Sequence, residues 1–193
     1  MIRIVLSALL LASPLQTVAA APASARASVQ DAVGDAEPSF TELPSPDLRS
    51  ATVEASAGRG LALKVRFANG TFHQASTYVQ FSLSVGGERG VDDGACQTCG
   101  NYLVDINGID SRPAQAQVRR LSPDSTYDLL EPLPVHFVAR GAELIIPWSL
   151  LPKGAKRLTY RVVTCIKLRD AALSRILDRM PAIGDPPPEL VWR

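Results

Sequence analysis

Two stretches of the chain alternate apolar and polar residues with a period of two, and this rhythm constrains the fold more than any other feature. In Leu61-Ala62-Leu63-Lys64-Val65-Arg66-Phe67, the residues Leu61, Leu63, Val65 and Phe67 share one face, with Lys64 and Arg66 on the other. From Tyr78 to Val85 the apolar set is Val79, Phe81, Leu83 and Val85, opposed by Gln80, Ser82 and Ser84. A strand points successive side chains to opposite faces, so both stretches read as half-buried strands of antiparallel sheet.

Weaker versions of the pattern predict strands at Leu48–Ser56, Tyr102–Ile106, Gln115–Leu121, Val135–Arg140, Glu143–Ile146 and Leu158–Leu168, with a last short one at Glu189–Trp192. Asn69-Gly70 and Gly86-Gly87 punctuate them as turns. Fifteen prolines and thirteen glycines fit many short connections. Strands at this spacing leave little room for crossover helices, so the expected fold is all-β, an antiparallel β-sandwich. One short C-terminal helix is expected from Arg169 to Arg179. Its Ala172, Leu173, Ile176 and Leu177 fall at helical spacing, and Asp170 sits in its first turn.

The 193 residues suit one domain with a leader. Arg3 is followed by the apolar run from Ile4 to Ala12, and Val18-Ala19-Ala20 offers small residues for cleavage. That layout predicts a signal peptide over residues 1–20, with Ala23-Ser24-Ala25 as a second cleavage point. The apolar run is well short of the roughly 20 residues needed to span a bilayer. Residues 21–30, small and polar, read as a flexible lead-in, and 31–193 as the sandwich domain. The expected location is secreted or periplasmic, with no membrane insertion once the leader is removed. Twenty basic residues against nineteen acidic ones give a net charge of +1, which offers no electrostatic case for nucleic acid.

Asp31-x-x-Gly34-Asp35, Asp47-Leu48 opening a strand, and the Leu61–Phe67 strand resemble the start of a bacterial sandwich group. That group is similar to family 9 carbohydrate-binding modules and DOMON-like domains. Ile146-Pro147-Trp148-Ser149-Leu150-Leu151 and Asp178-x-x-Pro181-x-x-Gly184-Asp185 resemble its later elements. The resemblance implies a jelly-roll-like sandwich, steadied by calcium and gripping sugar with aromatic rings in its carbohydrate-binding members. Trp148 and Trp192 stand here in core-like contexts.

The acidic loop is the candidate metal site. Asp31, Asp35 and Asp47 supply hard oxygen ligands, and Asp178 and Asp185 join them if the two ends of the domain lie together. No cofactor is fixed by the sequence, and structural calcium is the candidate for this loop. The alternative is that these carboxylates cap turns and face water.

Cys96 and Cys99 lie in a Gly-rich loop and Cys165 in a strand, so an oxidising compartment predicts one disulfide with one thiol left over. Two pairings compete, with the local Cys96–Cys99 bridge the expected one and Cys165 the alternative partner. A local Cys96–Cys99 bridge closes without any assumption about the fold, whereas a bridge from Cys165 to either one closes a longer loop and stabilises more. Cys165 shares its face with Arg161, Val163 and Lys167, away from the Tyr160 and Val162 side.

Phe72, His73 and Tyr102 are the expected ligand-contact residues, carried on or beside loops. No Gly-x-Ser-x-Gly elbow and no set of four zinc ligands is present. The leading expectation is a secreted, non-catalytic binding or interaction domain for an extracellular glycan or another secreted protein. One alternative is a small periplasmic redox or haem-binding protein: the resemblance to DOMON-like domains implies haem held through Met and His, and Met180 is the one methionine after the leader. Another is a hydrolase working through a carboxylate pair about 5 to 9.5 Å apart.

Overall fold

The computed structural model of the chain describes residues 24–32, 34–36, 46–68, 77–88, 100–107, 115–167, 174–182 and 184–192. The expected leader lies outside these residues, as do Phe72, His73, Cys96 and Cys99. The described residues form an antiparallel β-sandwich. Strands β1 (Ala25–Gln30), β2 (Leu48–Ser56), β3 (Gly60–Phe67), β8 (His136–Val138) and β9 (Gly141–Ile146) make one sheet in the order β1-β2-β3-β9-β8. The second sheet runs β11-β10-β4-β5-β6-β7, from β4 (Thr77–Val85), β5 (Tyr102–Asn107), β6 (Gln115–Leu121), β7 (Tyr127–Pro134), β10 (Arg157–Lys167) and β11 (Ser174–Met180). The short β12 (Glu189–Val191) also pairs with β10. Every pairing among these strands is antiparallel.

The period-two faces meet between the sheets. Leu61, Leu63, Val65 and Phe67 of β3 point inward, joined by Ala51, Val53 and Ala55 of β2 and Ala142, Leu144 and Ile146 of β9. Opposite them stand Val79, Phe81, Leu83 and Val85 of β4, Tyr102, Val104 and Ile106 of β5, and Leu158, Tyr160 and Val162 of β10. Sheets stack about 10 Å apart, which is room for one interdigitated layer of such side chains. Tyr160 and Thr164 are inward side chains of β10 that carry a hydroxyl, and Thr164 donates to the Pro46 carbonyl oxygen at 3.3 Å. The Tyr160 hydroxyl contacts the Ala27 and Ala51 carbonyl oxygens at 3.1 and 3.2 Å, and burial holds its pKa well above the usual tyrosine value.

The second sheet is also buried on part of its outer face. Gln80 is fully buried there and donates to Asp105 at 2.9 Å, and Asp105 pairs with Arg119 at 2.6 Å. Tyr78, Val163 and Cys165 form a small apolar cluster of their own, apart from the main core. At the edge, β7 is mostly exposed and carries Pro132 and Pro134, residues tolerated where no further strand must be paired.

Three sequence expectations are corrected. Residues 174–179 of the expected C-terminal helix belong to strand β11. A register shift between Thr164 and Cys165 leaves Leu177 opposite no partner. The bulge breaks strict alternation, so Leu177, Asp178 and Met180 are all buried, which produces an apolar spacing that imitates a helix. Within the expected lead-in, Ala25–Gln30 is strand β1, paired in register with β2. Strand β7 lay outside every expected strand because prolines argue against a strand. The strongly alternating segments behave as expected, and Trp148 packs half-buried against Trp192 with ring centroids 5.6 Å apart.

Backbones approach closely where β3 and β9 pair. A Cβ at Gly141 would run into the Val65 carbonyl oxygen, so only glycine keeps this register. Gly141→Ala is expected to lower stability by about 1–3 kcal/mol through overpacking. Urea unfolding checks this as a lower midpoint at unchanged slope.

Candidate functional site

One end of the sandwich gathers carboxylates from three separated segments. Asp31 follows β1, Asp47 precedes β2, and Asp178 belongs to β11 of the other sheet. The bulge beside Thr164 places Asp178 opposite it and on the same side of the strand as the core residue Met180. There the Asp178 carboxylate accepts hydrogen bonds from the Leu48 N–H at 2.6 Å and the Arg179 N–H at 2.7 Å. The first of these joins the two sheets directly. Asp47 is more than nine-tenths buried, and its Oδ2 accepts from the Gly34 N–H at 2.7 Å, folding the 31–36 segment back over the strand ends. Gly34 has φ +90°, a left-handed conformation that suits glycine at this turn.

Ligand oxygens of Asp31, Asp35 and Asp178 all lie within 4.8 Å of one another. Two oxygens sharing a calcium ion at about 2.4 Å each lie no further apart than this. Two buried oxygens on this end make no hydrogen bond: Oδ2 of Asp31 and Oδ1 of Asp47. A buried acceptor without a donor carries its full desolvation cost, so each calls for a partner. Among the described residues no ion pair reaches any of the four aspartates.

The electrostatics carry the same message. Burial, more than any other cause, pushes the Asp178 carboxyl up to about 7, and the charges of Asp31 and Asp35 raise it further against the pull of its two backbone donors. Asp31 is also raised, first by burial and then by Asp35 and Asp47. The charges acting on this pair are those of other carboxylates, which strain a cluster left without a cation or a proton.

Of the five expected metal ligands, Asp31, Asp35 and Asp178 come together and Asp47 stands against them. Asp185 lies outside the group; it is exposed, and its backbone oxygen accepts from Arg161 at 3.2 Å. The sequence marked the residues but carried no signal for the unpaired oxygens or for the bulge that aims Asp178.

Tyr102, expected at a ligand-contact loop, instead has its ring in the core and is 1% exposed. Its inward position on β5 follows from alternation with Val104 and Ile106. The hydroxyl lies at the sandwich end beside Arg120, in a cavity of about 400 Å³ that Glu88 and Asn101 also line. Met180 is fully buried in the core. Cys165 is likewise fully buried and is disulfide-bonded; its partner lies outside the described residues.

A second surface lies over the outer face of the first sheet, in a groove of about 630 Å³ lined by Glu54, Lys64, His136 and Glu143 among others. Lys64 faces Glu143 in register across β3 and β9, and Glu143 faces His136 across β9 and β8. Glu54 sits 3.6 Å from the Lys64 ammonium, and Arg66 holds the Glu143 carboxyl below its ordinary pKa. The groove thus offers alternating donors and acceptors fixed in place by one another.

The architecture defines the chain as an antiparallel β-sandwich with a carboxylate cluster tying one sheet to the other. No family model, curated protein or solved structure matches it.

The raised Asp178 pKa fixes how stability varies with pH when divalent cations are chelated. An unfolded aspartate titrates near 3.8, whereas the folded one titrates at about 7. Between those values the folded state holds more protons than the unfolded chain, so stability falls as pH rises and the loss is complete above about 7. Urea unfolding in chelator is expected to give a lower midpoint at pH 8 than at pH 5. Asp178→Asn is expected to flatten that difference.

Proposed function

We propose that this chain is an exported, non-catalytic binding domain whose fold is completed by a calcium ion held by Asp31, Asp35, Asp47 and Asp178. The observation that carries the reading is the set of three carboxylates, Asp31, Asp35 and Asp178, close enough to share one ion, with the buried Asp47 carboxylate, its Oδ1 unpaired, near enough for its charge to act on Asp31. Calcium suits the donor set because it takes six to eight oxygens, mixes carboxylates with carbonyls and tolerates irregular geometry. The proposed partner is an extracellular glycan or another secreted protein, with the polar groove over β2, β3, β8 and β9 as the surface offered to it. The affinity with family 9 carbohydrate-binding modules and DOMON-like domains belongs to the same proposal, supported by the two-layer antiparallel architecture.

An ion that binds only the folded state stabilises it by RT ln(1 + [L]/Kd), or about 2.7 kcal/mol at a hundredfold excess over Kd. Thermal unfolding at pH 7.5 is expected to shift upward by several degrees in millimolar calcium relative to chelator. Asp31→Asn and Asp178→Asn are expected to abolish most of that shift. An unchanged transition in wild-type protein overturns the calcium reading.

The bridged state of Cys165 supports the long-range disulfide over the local one expected from the sequence. Cys165 is bridged, and Cys96 and Cys99 are the chain's other cysteines. Proteolytic mapping without reductant is expected to recover the Cys165 peptide linked to the one carrying Cys96 and Cys99. Recovery of the Cys165 peptide alone counts against this pairing.

A further inference from the structure

We infer that the same cation acts as a latch for strand β1, so that calcium governs whether the N-terminal edge of the first sheet is docked; this rests on the calcium reading above. Strand β1 is lightly held. It pairs only with β2, and none of its six residues is fully buried. Its inward side chains are Ala25, Ala27 and Val29, which pack half-buried against the core. Neighbouring β2 sinks Leu48, Ala51, Val53 and Ala55 into the same core almost completely. Small side chains remove little apolar area from water, so β1 gains less from burial than any strand of the interior. Beyond its ladder, β1 is fastened by the Tyr160 hydroxyl at the Ala27 carbonyl and by the backbone bond from Asp31 N–H to the Arg49 carbonyl at 3.1 Å.

Asp31 is the residue immediately after β1, and its carboxylate faces Asp35, Asp47 and Asp178. The carboxylates of Asp31 and Asp178 belong to opposite sheets. With a cation between them, the end of β1 is stapled across the sandwich to β11. Without one, the charges of Asp35 and Asp47 press on the very residue that closes the strand. A segment with few buried apolar contacts opens locally, at a free energy well below that of global unfolding. The load falls on β1 because the ligands from the other two segments are rooted more deeply, Asp178 in β11 by two backbone donors and Asp47 beside the buried Leu48, while Asp35 is an exposed residue just after Asp31.

Amide hydrogen exchange on the full folded chain tests the latch, with calorimetric calcium titration run in parallel. In chelator, the β1 amides are expected to exchange at least tenfold faster than those of β4. Saturating calcium is expected to close that gap to within about threefold, and Asp31→Asn is expected to keep it open in calcium. Arg26, exposed within β1, gives a second readout, because trypsin should cut after it faster in chelator than in calcium. If calorimetry records calcium binding while the β1-to-β4 gap stays the same, the latch is overturned and the metal site stands. If no calcium binds, both fall.

Discussion

The contact between the inner faces of the two sheets carries this molecule. Leu61, Leu63, Val65 and Phe67 on one side meet Phe81, Leu83, Tyr160 and Val162 on the other, and all are buried essentially completely. Apolar burial of this kind is worth roughly 25 cal/mol per Å² removed from water. It is also insensitive to direction, so the polar groups decide what the frame is used for. Where they enter the interior they do so in pairs, as Gln80 with Asp105 and Arg119, or through a single hydroxyl, as at Tyr160. The Asp178 corner departs from that habit. A buried carboxylate there meets other carboxylates, and such an arrangement persists only because the rigid core holds its supporting strands in place.

The corner is assembled by backbone geometry as much as by side chains. The bulge in β11 aims Asp178 across the gap, the Leu48 N–H donates to it, and Gly34 turns its segment so that its own N–H donates to Asp47. Three segments distant in sequence therefore converge on one small volume. A bound cation would satisfy the unpaired oxygens and would also cross-link strands that otherwise share few contacts. On the proposed reading, stability, metal affinity and the order of the N-terminal strand are aspects of a single local arrangement.

Much of the sandwich was legible in the sequence where alternation was strict and side chains were large. Leu61–Phe67 and Tyr78–Val85 meet both conditions, and β2 and β6 have the expected bounds. The signal failed where a local feature disturbed the rhythm. In β11 one unpaired residue put Leu177 and Asp178 inside together and imitated a helical face. In β1 the alternation of Ala25, Ala27 and Val29 against Arg26, Ser28 and Gln30 was present, but alanine is a weak marker of strand. Tyr102 was assigned to a ligand surface by its nearness to a loop, whereas its place in the β5 alternation sends it inward. The carboxylates that meet were nameable from composition and turns, but their meeting depends on which strand lies beside which, and no single segment encodes that.

The prolines of β7 have a consequence for behaviour at high concentration. Sheets terminate in rows of amide and carbonyl groups that can recruit another polypeptide. At this border two of eight positions have no amide hydrogen to give, and Asp128 and Glu131 set negative charge along the same short strand. An approaching chain finds an interrupted ladder and an electrostatic rebuff. The border is thereby guarded against the edge-to-edge stacking from which fibrils grow.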